Sequence, residues 1–300
     1  MNSRSSLLLL HKKPGSTSFA SLYPIKHRLS KKVGHAGTLD KFAEGLLIVL
    51  TGSLTKLNPL FSNLDKRYYA TIEFGIETDT LDPEGKIVKR TAVPSLATIE
   101  TVLGNHFVGT ILQAPPMYSA IHIDGVRSHR LARSGVEIEI PKRPVTIYST
   151  RIIEWDSGRL ALEVHCSKGT YIRSLARDLG ALCGSSAYLS ALTRTSIGPY
   201  ALEEAVYADE VDEVDKVADK TLENLLRLDT IAKIVVSDAA IDRLGNGRMP
   251  VVEDYVGACE LVKKDYAAVV DRYDNLQAVV SLDEHGACTT MVALVKGVTF

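Results

Sequence analysis

The chain has 300 residues, 45% hydrophobic and 24% charged, with a formal net charge of −1; this is ordinary globular composition, long enough for a large core and two domains. The charge is unevenly spread: residues 1–200 carry 25 Lys and Arg against 16 Asp and Glu, whereas residues 201–300 carry 10 against 20. A positive body with a negative tail suits an anionic partner for the first two thirds, RNA, DNA or a phosphorylated small molecule, because attraction to phosphate follows the local field. Solvated lysines on an ordinary surface fit the same count.

Four cysteines, Cys166, Cys183, Cys259 and Cys288, lie far apart without a C-x-x-C pair, which argues against a zinc site and a disulfide framework and for a reducing cytoplasm. LLLL at residues 7–10 is too short for a signal-peptide core and runs into HKK, so no targeting or membrane segment is expected.

In chain order, LLLLHKKPGSTSF reads as a buried strand, a Pro/Gly turn and a helix capped by Thr17 or Ser18. GLLIVLTG (residues 45–52) has the continuous apolar character of a strand buried on both faces, and SLTKLNPLFSN reads as a short helix interrupted near Pro59. KRYYATIEFG is strand-like, and TDTLDPEGK is an acidic, turn-rich loop. SLATIETVLGNHF predicts a helix capped by Ser95 that ends at Gly104. VEIEI (residues 136–140) alternates as a half-buried strand does, and VTIYSTRIIEW and LALEVHCS flank DSGR as a hairpin.

GTYIRSLARDLGALCG then predicts a loop entering an amphipathic helix with Ile172, Leu175, Ala176, Leu179 and Leu182 inward. LEEAVYADEVDEVDKVADK is dense in acid and reads as a solvated helix or linker. After Val235 come a helix capped by Ser237 and the strand-like runs CELVK, YAAVVDRY, LQAVVSL and TTMVALVK. Without regular β-α-β alternation, the fold class is α+β with a largely antiparallel sheet and a small β-rich C-terminal module. The expected segments are 1–202 for the main domain, 203–234 for an acidic helical linker and 235–300 for the small module.

Chemistry is carried by few residues. Asp40 sits between a glycine-rich turn and an apolar strand, where a carboxylate costs free energy unless paired, hydrogen-bonded or solvated in a cleft; it reads either as a site residue or as a cap for KFAEG. Arg173, in SKGTYIR at the mouth of a helix, can pair Asp40 and keep it ionised, bind phosphate or face solvent. Tyr68, Tyr171 and His35 could hold an extracted base against a flat side chain or serve as core and rim rings. RSHRLAR (residues 127–133) and KHRLSKK (residues 26–32) are basic patches suited to phosphate or to a solvated face. No G-x-S-x-G or Walker pattern occurs, no S-x-x-K partner stands in a suitable context, and the eight histidines show no metal-binding spacing.

GHAGTLD (residues 34–40), followed by xxAxGLL, closely resembles the catalytic motif of the TruB pseudouridine synthases. KPGSTSF, DKRYYATIEFG with TDTLDPEG, PPMYSAIHIDG, HCSKGTYIRSLARDLG and LSALTRTSIGPY resemble further elements of that family in the same order, covering about residues 7–200. The resemblance implies a pseudouridine synthase-like mixed, largely antiparallel sheet with flanking helices. It implies Asp40 as nucleophile, Tyr68 against the target ring and Arg173 as ion-pair partner of Asp40. His35, Tyr171 and Leu192 then match substrate-pocket positions, and Lys13 with Pro14 the N-terminal K-P that supports the pocket. Lys41, Phe42 and Glu44 depart from the family's usual residues beside the aspartate, and HKKP replaces the more usual D-K-P.

By the same resemblance, the expected activity is isomerisation of uridine to pseudouridine at position 55 in the T-arm of transfer RNA. It would proceed by base flipping and attack by an aspartate, with no metal or other cofactor. The expected protein is a cytoplasmic monomer with a small β-rich, PUA-like RNA-binding module over residues 235–300. Two alternatives accompany it: a guide-RNA-dependent ribosomal RNA synthase, which the short N-terminus and lack of a lysine-rich tail disfavour, and a non-catalytic chaperone that folds transfer RNA.

Overall fold

The computed structural model describes residues 4–117, 122–123, 126–127, 140–257, 261 and 263–295. The N-terminal half contains β1 (Leu7–Lys12), α1 (Tyr23–Arg28), β2 (Val33–Ala36), β3 (Glu44–Thr51), α2 (Asn58–Ser62), β4 (Lys66–Phe74), β5 (Ile76–Thr78), β6 (Ile87–Arg90), α3 (Leu96–His106) and β7 (Gly109–Gln113). Two-residue strands β8 (His122–Ile123) and β9 (Val126–Arg127) pair with each other. They are followed by β10 (Arg143–Asp156), β11 (Arg159–Cys166), α4 (Ile172–Leu182), β12 (Ala187–Ile197) and β13 (Tyr200–Ala201). The chain then forms α5 (Val211–Asp219), α6 (Thr221–Leu226), β14 (Ile231–Val235), α7 (Asp238–Gly245), β15 (Tyr266–Val270), β16 (Leu276–Leu282) and β17 (Cys288–Leu294).

Two compact units form, one from Met1–Leu39, Leu46–Ser62 and Pro199–Phe300, the other from Asp40–Gly45 and Asn63–Gly198. They cut the chain differently from the segments 1–202, 203–234 and 235–300. The second unit is built on the sheet β12-β4-β11-β10-β7, in which every neighbouring pair is antiparallel. The hairpin β10–β11 turns at Ser157 and Gly158, both at positive φ, and α3 and α4 accompany the sheet. The largely antiparallel α+β character expected for this region is what the register shows.

In the first unit β3 is flanked by β1 and β2, and seven of its eight residues are buried. Leu8, Leu10, Leu22, Ile25, Leu29, Leu47 and Val49 pack with Val214, Val217 and Ala218 of α5. The acidic stretch is therefore not simply solvated: Val214, Val217 and Ala218 recur at helical spacing and dock, while Asp219 pairs Arg4 and Asp215 pairs Arg28. Near the C-terminus, β14 runs parallel to β15, and β15–β16–β17 continue antiparallel over a core that includes Ile234, Leu244, Val269 and Val280.

Several local expectations shift. The turn begins with Ala20–Leu22 and α1 only at Tyr23; Thr17 Oγ1 accepts from Ala20 N, while Ser18 Oγ instead bonds Leu39. The helical stretch does change near Pro59: a 3-10 segment over Gly52–Leu57 gives way to α2 at Asn58, with Pro59 in the first turn of α2, where no intrahelical N–H is required. Ser95 caps α3 as expected, but the helix runs through Gly104 to His106. Leu182 is half exposed rather than inward, because α4 ends there. Most of RSHRLAR, VEIEI and CELVK, and the middle of PPMYSAIHIDG, lie outside the described residues.

One backbone approach fixes where β3 begins. Glu44 and Gly45 pair in parallel with Thr193 and Arg194 of β12. Gly45 has φ +115, and a Cβ there would lie 2.4 Å from the Arg194 carbonyl oxygen. Gly45→Ala must shift backbone against backbone, and we expect a loss of about 3 kcal/mol of stability, measured as a lowered urea midpoint with an unchanged slope.

Candidate active site

The loop between β2 and β3 carries Asp40. Leu39 just before it is fixed by Ser18, whose hydroxyl donates to the Leu39 carbonyl at 3.0 Å and accepts from its N–H at 2.8 Å. Gly37 supplies a positive φ of 87° at the bend, and Ala43 N–H closes a turn on the Asp40 carbonyl at 3.2 Å. Asp40 keeps about a third of its side chain (35%) open to solvent.

Arg173 comes from the first turn of α4 and is nearly fully buried. Its Nη2 donates to Asp40 Oδ1 at 2.9 Å, and its Nη1 donates to the Thr80 carbonyl at 3.1 Å and to Asp82 Oδ2 at 3.3 Å. A planar guanidinium can serve two carboxylates at once; an ammonium is a point charge and holds one well. Asp82 is itself buried, with Oδ1 accepting from Thr80 Oγ1 at 2.6 Å and Glu84 N–H at 3.0 Å. The ion cluster thus has an inner, fully hydrogen-bonded carboxylate and an outer one that solvent reaches.

The start of α4 is set by Gln113 at the end of β7, 1% exposed, whose side chain accepts from Tyr171 N–H at 2.8 Å and donates to the Tyr171 carbonyl at 3.1 Å. Tyr171 is partly exposed. Neither Gln113 nor Asp82 was singled out from the sequence. The acidic turn DPEG was the visible signal for Asp82, and Gln113 left none.

Tyr68 and Leu192 share one face of β4 and β12. Tyr68 lies opposite Arg194 and Ala70 opposite Leu192, and directly opposed residues on paired strands point the same way. Tyr68 and Leu192 are 8% and 6% exposed, and Arg194 is fully buried. Burial pushes the Tyr68 phenol up, opposed by the Arg194 guanidinium, which hydrogen-bonds it, and helped by the Asp40 charge, so the hydroxyl stays neutral. Behind it, burial followed by repulsion from Arg194 lowers the Lys66 ammonium to about 8, and burial raises the Cys166 thiol to about 11.

The residues beside Asp40 also have tasks. Lys41 Nζ pairs Glu84 Oε1 at 2.8 Å, tying the Asp40 loop to the Asp82 loop, and Glu44 Oε1 accepts from Thr193 Oγ1 at 3.2 Å. The structure therefore brings Asp40, Arg173, Tyr68, Tyr171 and Leu192 into one unit. His35 and Lys13 belong to the other unit. His35 is half-buried opposite Val49 in the β2–β3 pair. Lys13 Nζ pairs Asp209 at 3.0 Å and lies 4.5 Å from the Tyr207 ring centroid.

Among the described residues no three His, Cys, Asp or Glu side chains converge as ligands of a metal ion, and no helix is long and apolar enough to cross a membrane. An arginine-held carboxylate beside a neutral phenol and an apolar wall provides an oxygen nucleophile or base.

Residues 26–172 match the model of the TruB family pseudouridylate synthase, N-terminal domain. A tRNA pseudouridine synthase B of Borreliella burgdorferi is 42% identical, over 85% of this chain and 90% of that protein. One of Dehalococcoides mccartyi is 39% identical, over 80% and 82%. The chain also superposes on a solved structure described as a Cbf5-Nop10-Gar1 complex with a TM-score of 0.66 and 23% identity, covering 99% of this chain and 86% of that one; this likeness bears on the fold alone.

Two stability measurements test the cluster. Arg173→Met leaves Asp82 charged and buried without its cation, and we expect a loss of roughly 3–5 kcal/mol, with Arg173→Lys in between. Lys66, whose folded value of about 8 lies below the ordinary 10.5, binds fewer protons folded than unfolded between those limits. Stability should therefore rise as pH rises from about 8 to 10.5 and fall as pH drops back, and Lys66→Met should remove that slope from a pH series of urea midpoints.

Proposed function

Given that the chain belongs to the TruB family of pseudouridylate synthases, we propose that it isomerises uridine to pseudouridine at position 55 in the T-arm of transfer RNA, with Asp40 as the nucleophile. The observation that carries this reading is the solvent-reached Asp40 carboxylate held at 2.9 Å by a buried arginine that a second carboxylate anchors from behind. The relatives' name, tRNA pseudouridine synthase B, supports transfer RNA as substrate.

The reaction breaks the N1–C1′ bond, rotates the uracil and forms C5–C1′; the C5 proton leaves to solvent and N1 gains one, so no electrons are transferred. The uridine first leaves its stack, at a cost of a few kcal/mol that phosphate contacts offset. Asp40, its rotamer fixed by the charge-assisted bond to Arg173, then acts as nucleophile: attack at C1′ breaks C1′–N1 and expels the uracil anion, which displaces the carboxylate through C5, whereas attack on the ring is reversed once C5–C1′ has formed and the C5 proton has left. Tyr68 lies against the ring as a neutral phenol, Leu192 walls it, Tyr171 binds the substrate in the pocket and His35 touches the displaced nucleotide region, with Lys13 supporting the pocket. The protein works as a cytoplasmic monomer. Residues 1–202 form the catalytic domain and residues 203–234 the link to residues 235–300, which contribute a small RNA-binding, PUA-like module.

Release of tritium from C5-labelled uridine in a T-arm hairpin tests the reading on the lone protein, without any guide RNA. We expect release by the wild type, a drop on the order of 10³-fold or more for Asp40→Asn, and retained hairpin affinity. Absence of release from folded wild type would end the proposal.

A further inference from the structure

The basic segment KHRLSKK is not absorbed by the site, and the helical turns leading into it carry an unusual surface. Phe19 is 71% exposed and Tyr23 67% exposed. Helical backbone begins at Phe19, passes through the 3-10 turn Ala20–Leu22 and enters α1, so Tyr23 and His27 lie one turn apart on one side of α1 and the exposed Phe19 stands just before them in the chain. The Tyr23 and His27 ring centroids are 4.3 Å apart at 52°. The opposite side, Leu22, Ile25 and Leu29, is buried in the core with Leu8 and Leu47. Packing thus fixes which way this short element faces, and three flat rings are left in water.

Charge indicates what would cover them. Arg28 pairs Asp215. Lys26, Lys31 and Lys32 are exposed, and among the described residues none has a carboxylate within ion-pair distance. Aromatic faces interleaved with uncommitted cations match single-stranded nucleic acid, in which each base has a flat face to stack and each phosphate a negative charge. An apolar protein partner would need the rings but not the lysines.

We propose that Phe19, Tyr23 and His27 stack unpaired nucleotides of the RNA substrate, with Lys26, Lys31 and Lys32 holding their phosphates. This platform rests on the reading of the substrate as RNA and adds a second contact for its single-stranded part, apart from the residues assigned to the chemistry.

The test uses the full chain and two hairpins, a blunt T-arm stem-loop and the same stem-loop with a single-stranded 3′ extension of about five nucleotides, within the site sizes seen for stacking grooves. Filter-binding affinities are compared for the wild type and Phe19→Ala/Tyr23→Ala, whose matching thermal melting shows an intact fold. The extension should tighten wild-type binding by about tenfold, and the double variant should lose that gain. Blunt-hairpin affinity and tritium release at saturating RNA should not change. An extension that gives the wild type no gain, or a gain the double variant keeps, overturns the platform. Absence of tritium release from both proteins instead overturns the isomerase reading and leaves the binding result to be judged by itself.

Discussion

A buried guanidinium between two carboxylates is the constraint on which the second unit depends. Arg173 is 4% exposed and Asp82 6%. Neither charge can be left alone at such a depth, because an unpaired buried ion forfeits its hydration without an electrostatic return. The chain meets this condition by bringing three distant pieces to one point: the loop after β2, the acidic loop after β5 and the first turn of α4. The inner carboxylate is held at Oδ1 by Thr80 and Glu84 and presents Oδ2 to the guanidinium, so the arginine is oriented from behind before anything binds in front. What remains for the outer carboxylate is a defined direction and a solvent-facing side.

The geometry around the cluster shows how that orientation is maintained. Leu81 takes a positive φ of 61°, a strained choice for a branched-chain residue, and its carbonyl is held by Leu189 N–H at 3.1 Å from β12. Gln113 secures both backbone groups of Tyr171 and so sets where α4 starts. Arg194 contributes twice, through its backbone pairing with Gly45 and through its side chain at Tyr68. Adjacent strands therefore transmit position directly to the loop that bears Asp40.

Much of this was readable in the sequence, and the limits have physical causes. Continuous apolar runs gave β1 and β3, and alternation gave the β10–β11 hairpin, because burial on one or both faces writes a period into the chain. Asp40 stood out as a lone acid between glycines and a buried strand, yet spacing alone left it as either a cap or a reactive group. Its proximity to Arg173 came from resemblance, since a separation of 133 positions carries no distance information. Asp82 and Gln113 were missed because their work is defined only by register between strands far apart in sequence. The acidic helix α5 misled in the other direction: many carboxylates masked the narrow apolar stripe of Val214, Val217 and Ala218. The strand β14 was missed because a five-residue run with a lysine at its centre shows little pattern until β15 lies beside it.

The pairing of β1 has a consequence for how the molecule is made. Leu7 N–H is held by Thr221 Oγ1, 214 positions later, and Leu9 and His11 exchange backbone bonds with Val206. During synthesis the first strand leaves the ribosome long before these partners exist. Its apolar run LLLL must wait, in a nascent chain, for most of the polypeptide to be translated. Closing so long a loop adds little to its thermodynamic cost, which grows only with the logarithm of length, but it delays completion of the edge. Ribosome-associated factors that shield such a segment therefore have a physical task on this chain, and it ends only when the acidic helices emerge.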